Sequence, residues 1–175
     1  LHLTCYDTTH GRFNTSVTLV QDDVLQVNGD SIKLLQIEDP ARCPWAELDV
    51  DVVLECTGIY RSREDASRHL QAGAKRVIIG AVAFDDVDAT FVYGVNHHWL
   101  QQQHKVISNA SCTTHCIAPL LQVMDESFGV KQTFMTEMHS YTSDQVLLDH
   151  VHRDLRRARA GAQNLIPTTS SSIGA

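Results

Sequence analysis

Val50-Asp51-Val52-Val53-Leu54-Glu55-Cys56-Thr57-Gly58 reads as a short apolar strand ending in a hydroxyl residue and a glycine. The next thirty residues set the topology. Arg63-Glu64-Asp65-Ala66-Ser67-Arg68-His69-Leu70-Gln71-Ala72 has a helical pattern, and Gly73 stops it. Arg76-Val77-Ile78-Ile79 is the second apolar run. Strand, helix and strand within about thirty residues make a right-handed βαβ unit with parallel strands. Val52-Val53-Leu54 is wholly apolar, as a strand buried on both faces requires. In such open sheets, ligands bind beyond the carboxyl ends of the strands. Thr57, Gly58 and Gly80 lie there. On pattern alone the glycines only turn the chain.

Toward the N-terminus, Ser16 to Val20 and Val24 to Val27 flank Gln21-Asp22-Asp23 and read as a hairpin. Asn28-Gly29-Asp30 is a turn signal, and Ser31 to Leu35 returns as a third strand of an antiparallel meander exposed on one face. Toward the C-terminus, Thr90 to Val95 and Lys105 to Ser108 supply two more strands, and Val130 to His139 a further one. Tyr141 to Gln163 is polar, arginine-rich and without a clean period.

The chemistry concentrates in Ser108-Asn109-Ala110-Ser111-Cys112-Thr113-Thr114-His115-Cys116. Small hydroxyl residues at the start of an apolar helical stretch, Ile117 to Met124, are N-cap chemistry. A cysteine in a first helical turn meets free N–H groups and the dipole, which favour its thiolate. His139 lies in another apolar run, and a cysteine and a histidine from separate elements can form a nucleophile–base pair. The residues alone leave other readings open. Cys112 could be an inert small hydrophobe, or part of a metal site with His115 and Cys116. No second CxxC or HxxxH cluster supports a metal, and none is expected.

Length and composition bound the answer. The 175 residues could bury one core or parts of two, and 43% hydrophobic with 20% charged is ordinary for a globular protein. A formal charge of −7 argues against non-specific binding to nucleic acid or anionic membrane. Five irregularly spaced cysteines form no disulfide framework and fit a reducing cytoplasm. No apolar run approaches the roughly 20 residues of a membrane helix, and the first residues show no signal-peptide pattern.

Ser-Asn-Ala-Ser-Cys-Thr-Thr from Ser108, and His-Ser-Tyr-Thr-Ser-Asp-Gln from His139, closely resemble the active-site segments of glyceraldehyde-3-phosphate dehydrogenases. Tyr6 to Phe13, Glu55-Cys56-Thr57-Gly58, Ala72 to Ile79, Tyr93-Gly94-Val95-Asn96 and Asp154 to Arg159 resemble further segments in the family's order. The resemblance implies an α/β chain: an incomplete Rossmann-type NAD(P)-binding domain over 1–111, then the start of an α+β catalytic domain over 112–175. In the family a Gly-rich first βαβ unit would precede Leu1, and most of the catalytic domain would come after Ala175. The chain is therefore expected to be the middle of a longer enzyme, and residues 1–175 alone to be inactive.

The implied reaction is a phosphorylating oxidation of an aldehyde with NAD or NADP. Cys112 is the implied nucleophile and His139 its base. Ser111, Thr113, Thr142, Arg157, Ser170 and Ser171 fall on phosphate or substrate positions, and Thr57, Gly58 and Gly80 near the cofactor. A cytoplasmic homotetramer is implied when the enzyme is complete, with a phosphorylated aldehyde and inorganic phosphate as its small partners. The loop from Tyr141 would pack against a neighbouring subunit's cofactor. Several positions depart from the family's pattern. His115 replaces a usual Asn, Gly80 a Ser, Glu38 a common Arg, Ser170-Ser171 a Thr-Gly, and His150-Val151 a Leu-Pro. An erythrose-4-phosphate dehydrogenase is the nearest competing function, and a non-catalytic fragment or scaffold the competitor of another class.

Overall fold

The computed structural model describes residues 1–173. A short helix α1 (His2–Cys5) leads into a two-stranded antiparallel ribbon, β1 (Tyr6–Asp7) and β2 (Gly11–Arg12). The meander comes next as β3 (Val17–Gln21), β4 (Val24–Val27) and β5 (Asp30–Lys33), antiparallel throughout with an irregularity between Leu19 and Gln21. Its expected one-sided exposure is exceeded: Leu25 is its one buried apolar side chain, and the rest is largely solvated.

The βαβ unit is present. It comprises β6 (Val52–Glu55), α2 (Arg63–Gln71) and β7 (Arg76–Ile79). Two further strands, β8 (Ala89–Thr90) and β9 (Val106–Ser108), complete a sheet of order β6-β7-β9-β8 in which every pairing is parallel. The helix forms where its sequence says. Ser62 caps it, accepting from Asp65 N–H at 3.0 Å, and Glu64 and Asp65 sit in its first turn with Arg68 and His69 in its last. Gly73 ends it at φ +107°, where an added Cβ would stand 2.5 Å from Ala46 Cβ.

Ala66 of α2, Val77 and Ile79 of β7 and Val106 of β9 are fully buried, with Leu70, Ala81, Ala83 and Val87 packed against them. Fully burying each of the larger side chains contributes about 1.5–3 kcal/mol. This cluster lies on the face covered by α2; on the other face Ile107 of β9 is buried as well. In β6, Val53 and Glu55 are buried but Val52 and Leu54 are exposed. The expectation of a strand buried on both faces is thus corrected: α2 covers one face, and among the described residues nothing covers Leu54.

Two expected strands do not form as read. Thr90 to Val95 contributes only Thr90 to β8. The Asn96 side chain accepts from Val92 N–H at 2.8 Å and donates to the Thr90 carbonyl at 3.1 Å, satisfying backbone groups that a ladder would otherwise use, and Gly94 turns the chain at φ +91°. Val130 to His139 forms no strand and pairs with no other described segment, so its apolar residues have no ladder to join. The helix α3 (Cys112–Phe128) runs between these regions, with Pro119 inside it and Thr114 as its one buried residue.

Candidate active site

The turn from β9 into α3 is held by the buried Ser108. Its hydroxyl donates to the Ala81 carbonyl at 2.8 Å and accepts from Ala110 N–H at 3.1 Å. Asn109 N–H donates to the Ile79 carbonyl at 2.8 Å, tying the end of β9 to the end of β7. Ala110 sits at φ +53°, a left-handed backbone that costs a non-glycine residue about 1–2 kcal/mol. That turn re-aims the chain so that Ser111 becomes the N-cap. Ser111 Oγ accepts from Thr114 N–H at 3.0 Å and shares a 2.7 Å hydrogen bond with the Thr114 hydroxyl. Cys112 is therefore the first residue of α3, among N–H groups that have no helical partner.

His139 meets it there. Cys112 Sγ lies 3.1 Å from His139 Nε2. His139 Nδ1 lies 2.6 Å from the Ser140 carbonyl, which can only accept, so Nδ1 carries a proton. Nε2 is then free to accept the thiol proton. The hydrogen bond from His139 holds the Cys112 thiol below its ordinary pKa; burial opposes this, and the Thr113 backbone N–H assists it. His139 is raised in turn, first by the Ser140 carbonyl and then by its bond to Cys112. Both shifts favour thiolate beside imidazolium.

Around the pair, the Thr113 hydroxyl donates to Glu137. Glu137 and His139, two residues apart, thus both reach the first turn of α3, at Thr113 and at Cys112. His115 turns back on its own helix. Its Nδ1 lies 3.0 Å from the Ser111 carbonyl, which also accepts from His115 N–H at 3.0 Å. Among the described residues no three His, Cys, Asp or Glu side chains are grouped to hold a metal.

Thr57, Gly58 and Gly80 stand at the carboxyl ends of β6 and β7, all solvent-exposed. Gly80 N–H donates to the Glu55 carbonyl at 2.9 Å. Gly58 adopts φ +76°, with nothing within 4 Å of where a Cβ would be. Open backbone and a hydroxyl on the same sheet edge as the turn into α3 suit a dinucleotide. The other expected residues are not gathered at Cys112. Thr142 is engaged by Gln145, its N–H donating to Oε1 at 2.6 Å. Arg157 pairs with Asp144 in the same loop and lies 4.0 Å from Asp154. Ser170 bonds the Ser172 hydroxyl at 2.6 Å, and Ser171 opens a 3-10 turn. A cleft of about 400 Å³ is lined by Glu38, Asp39, Arg42, Tyr60 and Arg68, away from the Cys112–His139 pair.

The comparisons with known proteins agree with one another. Residues 1–63 match the family described as glyceraldehyde 3-phosphate dehydrogenase, NAD binding domain, and residues 111–175 match its C-terminal domain. This chain belongs to the glyceraldehyde-3-phosphate dehydrogenase family. The chain is 55% identical over 174 residues to two relatives from Cupriavidus necator, the plasmid and the chromosomal glyceraldehyde-3-phosphate dehydrogenase. It is 48% identical over the same length to a chloroplastic glyceraldehyde-3-phosphate dehydrogenase A of Scenedesmus vacuolatus. These alignments cover 99% of the chain but 52%, 52% and 55% of those proteins, so it spans about half their length.

Within this family chain, three features of the site carry no motif of their own. The Ser140 carbonyl that sets the His139 tautomer is a backbone group and leaves no mark in residue types. Glu137 was findable from its two-residue spacing to His139. Glu55 is the one carboxylate of β6, and it heads a buried chain of hydrogen bonds to His69 and Trp45.

Proposed function

We propose that these residues form the reacting half of a phosphorylating aldehyde dehydrogenase that oxidises glyceraldehyde 3-phosphate with NAD or NADP. The single observation that carries this is the Cys112–His139 pair at 3.1 Å, at the start of a helix and on the sheet edge that bears Thr57, Gly58 and Gly80. The relatives' printed names support the substrate. Residues 1–111 belong on this reading to the dinucleotide-binding domain and 112–175 to the catalytic domain.

Cys112 thiolate attacks the aldehyde carbon, and the His139 imidazolium gives its Nε2 proton to the forming alkoxide, leaving a thiohemiacetal beside a neutral imidazole. N–H groups of the first α3 turn face the developing oxyanion. His139 then accepts the hydroxyl proton while the carbon loses hydride and becomes a thioester. Thr57, Gly58 and Gly80 would hold a dinucleotide, which would supply the hydride acceptor. Inorganic phosphate cleaves the thioester and regenerates the thiolate. The hydroxyls of Ser111 and Thr113, beside Cys112, suit phosphate oxygens once Thr113 leaves Glu137 and Ser111 turns its proton from Thr114. Thr142, Arg157, Ser170 and Ser171 join that site only if their present partners release them. A cytoplasmic homotetramer completes the proposal. In the described residues no helix is long and apolar enough to cross a membrane.

The test is an assay of the full polypeptide that carries these residues. Dinucleotide reduction should require both the aldehyde and inorganic phosphate, and should vanish in Cys112→Ser while dinucleotide binding survives. A higher kcat/KM for erythrose 4-phosphate than for the triose would move the assignment to the tetrose enzyme. No activity with either aldehyde would leave a binding or scaffold role.

A further inference from the structure

Behind the cofactor edge of the sheet lies a buried polar chain that the proposed reaction does not use. Glu55 ends β6 at 4% exposure, and His69 projects from α2 at 6%. The Trp45 indole N–H donates to His69 Nδ1 at 3.0 Å. An indole can only donate, so Nδ1 carries no proton and the ring's proton rides on Nε2. Nε2 lies 3.1 Å from Glu55 Oε2 and donates to it. The other carboxylate oxygen, Oε1, is given wholly to Thr57: it accepts from the Thr57 backbone N–H at 2.7 Å and from the Thr57 hydroxyl. The hydroxyl oxygen in turn accepts from Ile59 N–H at 3.1 Å.

A carboxylate buried against a helix is a poor structural plug. Apolar groups of like volume are often as stable there or more so. What this carboxylate does do is fix Thr57. The hydroxyl proton is committed inward to Glu55 and one lone pair to Ile59, which leaves one lone pair facing outward. We infer that Trp45, His69 and Glu55 are positioning residues that hold the Thr57 hydroxyl as a hydrogen-bond acceptor toward the dinucleotide. Such a group receives a ribose hydroxyl or an amide N–H. It does not serve phosphate oxygens, which need donors. The inference rests on the proposed role of Thr57 as a cofactor contact.

Calorimetric titration of the full polypeptide with NAD and with NADP tests it, with thermal melts alongside. Thr57→Val should weaken the tighter-binding dinucleotide about tenfold, the scale of one lost hydrogen bond. Glu55→Gln should weaken it by several-fold, because one amide oxygen cannot serve both Thr57 and the His69 Nε2–H: whichever way the amide turns, its NH2 meets a donor and the chain is broken. In the double variant, Glu55→Gln should add nothing to Thr57→Val, since its effect passes through that hydroxyl. If Glu55→Gln does not fold, Trp45→Phe replaces it: the loss should be several-fold, and again absent on the Thr57→Val background. Additive losses, or an unchanged Kd for the folded Glu55 or Trp45 variant while Thr57→Val binds weakly, would overturn the inference. An unchanged Kd for Thr57→Val itself would instead sink the cofactor reading of Thr57, and this inference with it.

Discussion

His139 reaches Cys112 with its Nε2 while its Nδ1 is tied to the carbonyl of its own neighbour, Ser140. The backbone thereby chooses the tautomer. An imidazole protonated at Nδ1 presents a bare Nε2 to the thiol, takes its proton, and becomes a doubly donating cation held between a thiolate and a carbonyl. Neither Cys112 nor His139 is buried, so geometry rather than desolvation supplies the activation.

His139→Asn removes the bond that lowers the Cys112 thiol. The pH profile of Cys112 alkylation should move to higher pH, and turnover of the full polypeptide should fall roughly 10²–10⁴-fold, the scale of one general base. An alkylation profile that stays put would show that His139 does not set the thiol's reactivity.

His115 stands where the family usually has Asn, yet its ring is turned onto the Ser111 carbonyl within α3. An Asn side chain can donate to the same carbonyl. His115→Asn should keep kcat/KM within about tenfold, or 1.4 kcal/mol of barrier. A larger loss would assign His115 a part in the reaction.

Much of this was legible because it is local. The helical run from Arg63 and the glycine that stops it, Gly73, mark α2 locally, and the apolar runs of β6 and β7 flank it. The Ser111 cap announces α3 in the same way. What was not legible depends on partners distant in the chain. Val130 to His139 alternates like a strand, but a strand needs a ladder, and its residues do not say what lies beside them. Thr90 to Val95 was lost to Asn96, whose side chain imitates a neighbouring strand. Glu55 and His69 each read as ordinary until the parallel register and α2 brought them within 3.1 Å.

Gly73→Ala should destabilise the fold by at least about 1–3 kcal/mol, since it combines a left-handed φ with a Cβ driven into Ala46. Chemical denaturation followed by far-UV circular dichroism reads the change. A variant as stable as the parent would mean that the helix end relaxes freely.

Asp88 gives an acid-sensitive tie. Burial raises its pKa, but the Val106 and Lys105 backbone N–H groups and Arg63 outweigh this and hold the carboxyl below the ordinary carboxylate range. The unfolded chain therefore takes up this proton first as pH falls. The stabilisation is complete above the ordinary carboxylate range and is lost as pH drops through it toward the folded value. Asp88→Asn should lower stability at neutral pH and flatten the acid limb of stability against pH. An unchanged limb would show the tie to be without weight.

If Cys112 carries the substrate as a thioester, the acyl enzyme can be trapped. The full polypeptide is mixed with glyceraldehyde 3-phosphate and the oxidised dinucleotide in the absence of inorganic phosphate, quenched in acid, digested, and mapped by mass spectrometry. The expected product is a phosphoglyceryl thioester on Cys112, formed in step with one equivalent of reduced dinucleotide and discharged when phosphate is added. Reduced dinucleotide with Cys112 unmodified, or the acyl group on Cys116 or another residue, would rule out Cys112 as the nucleophile.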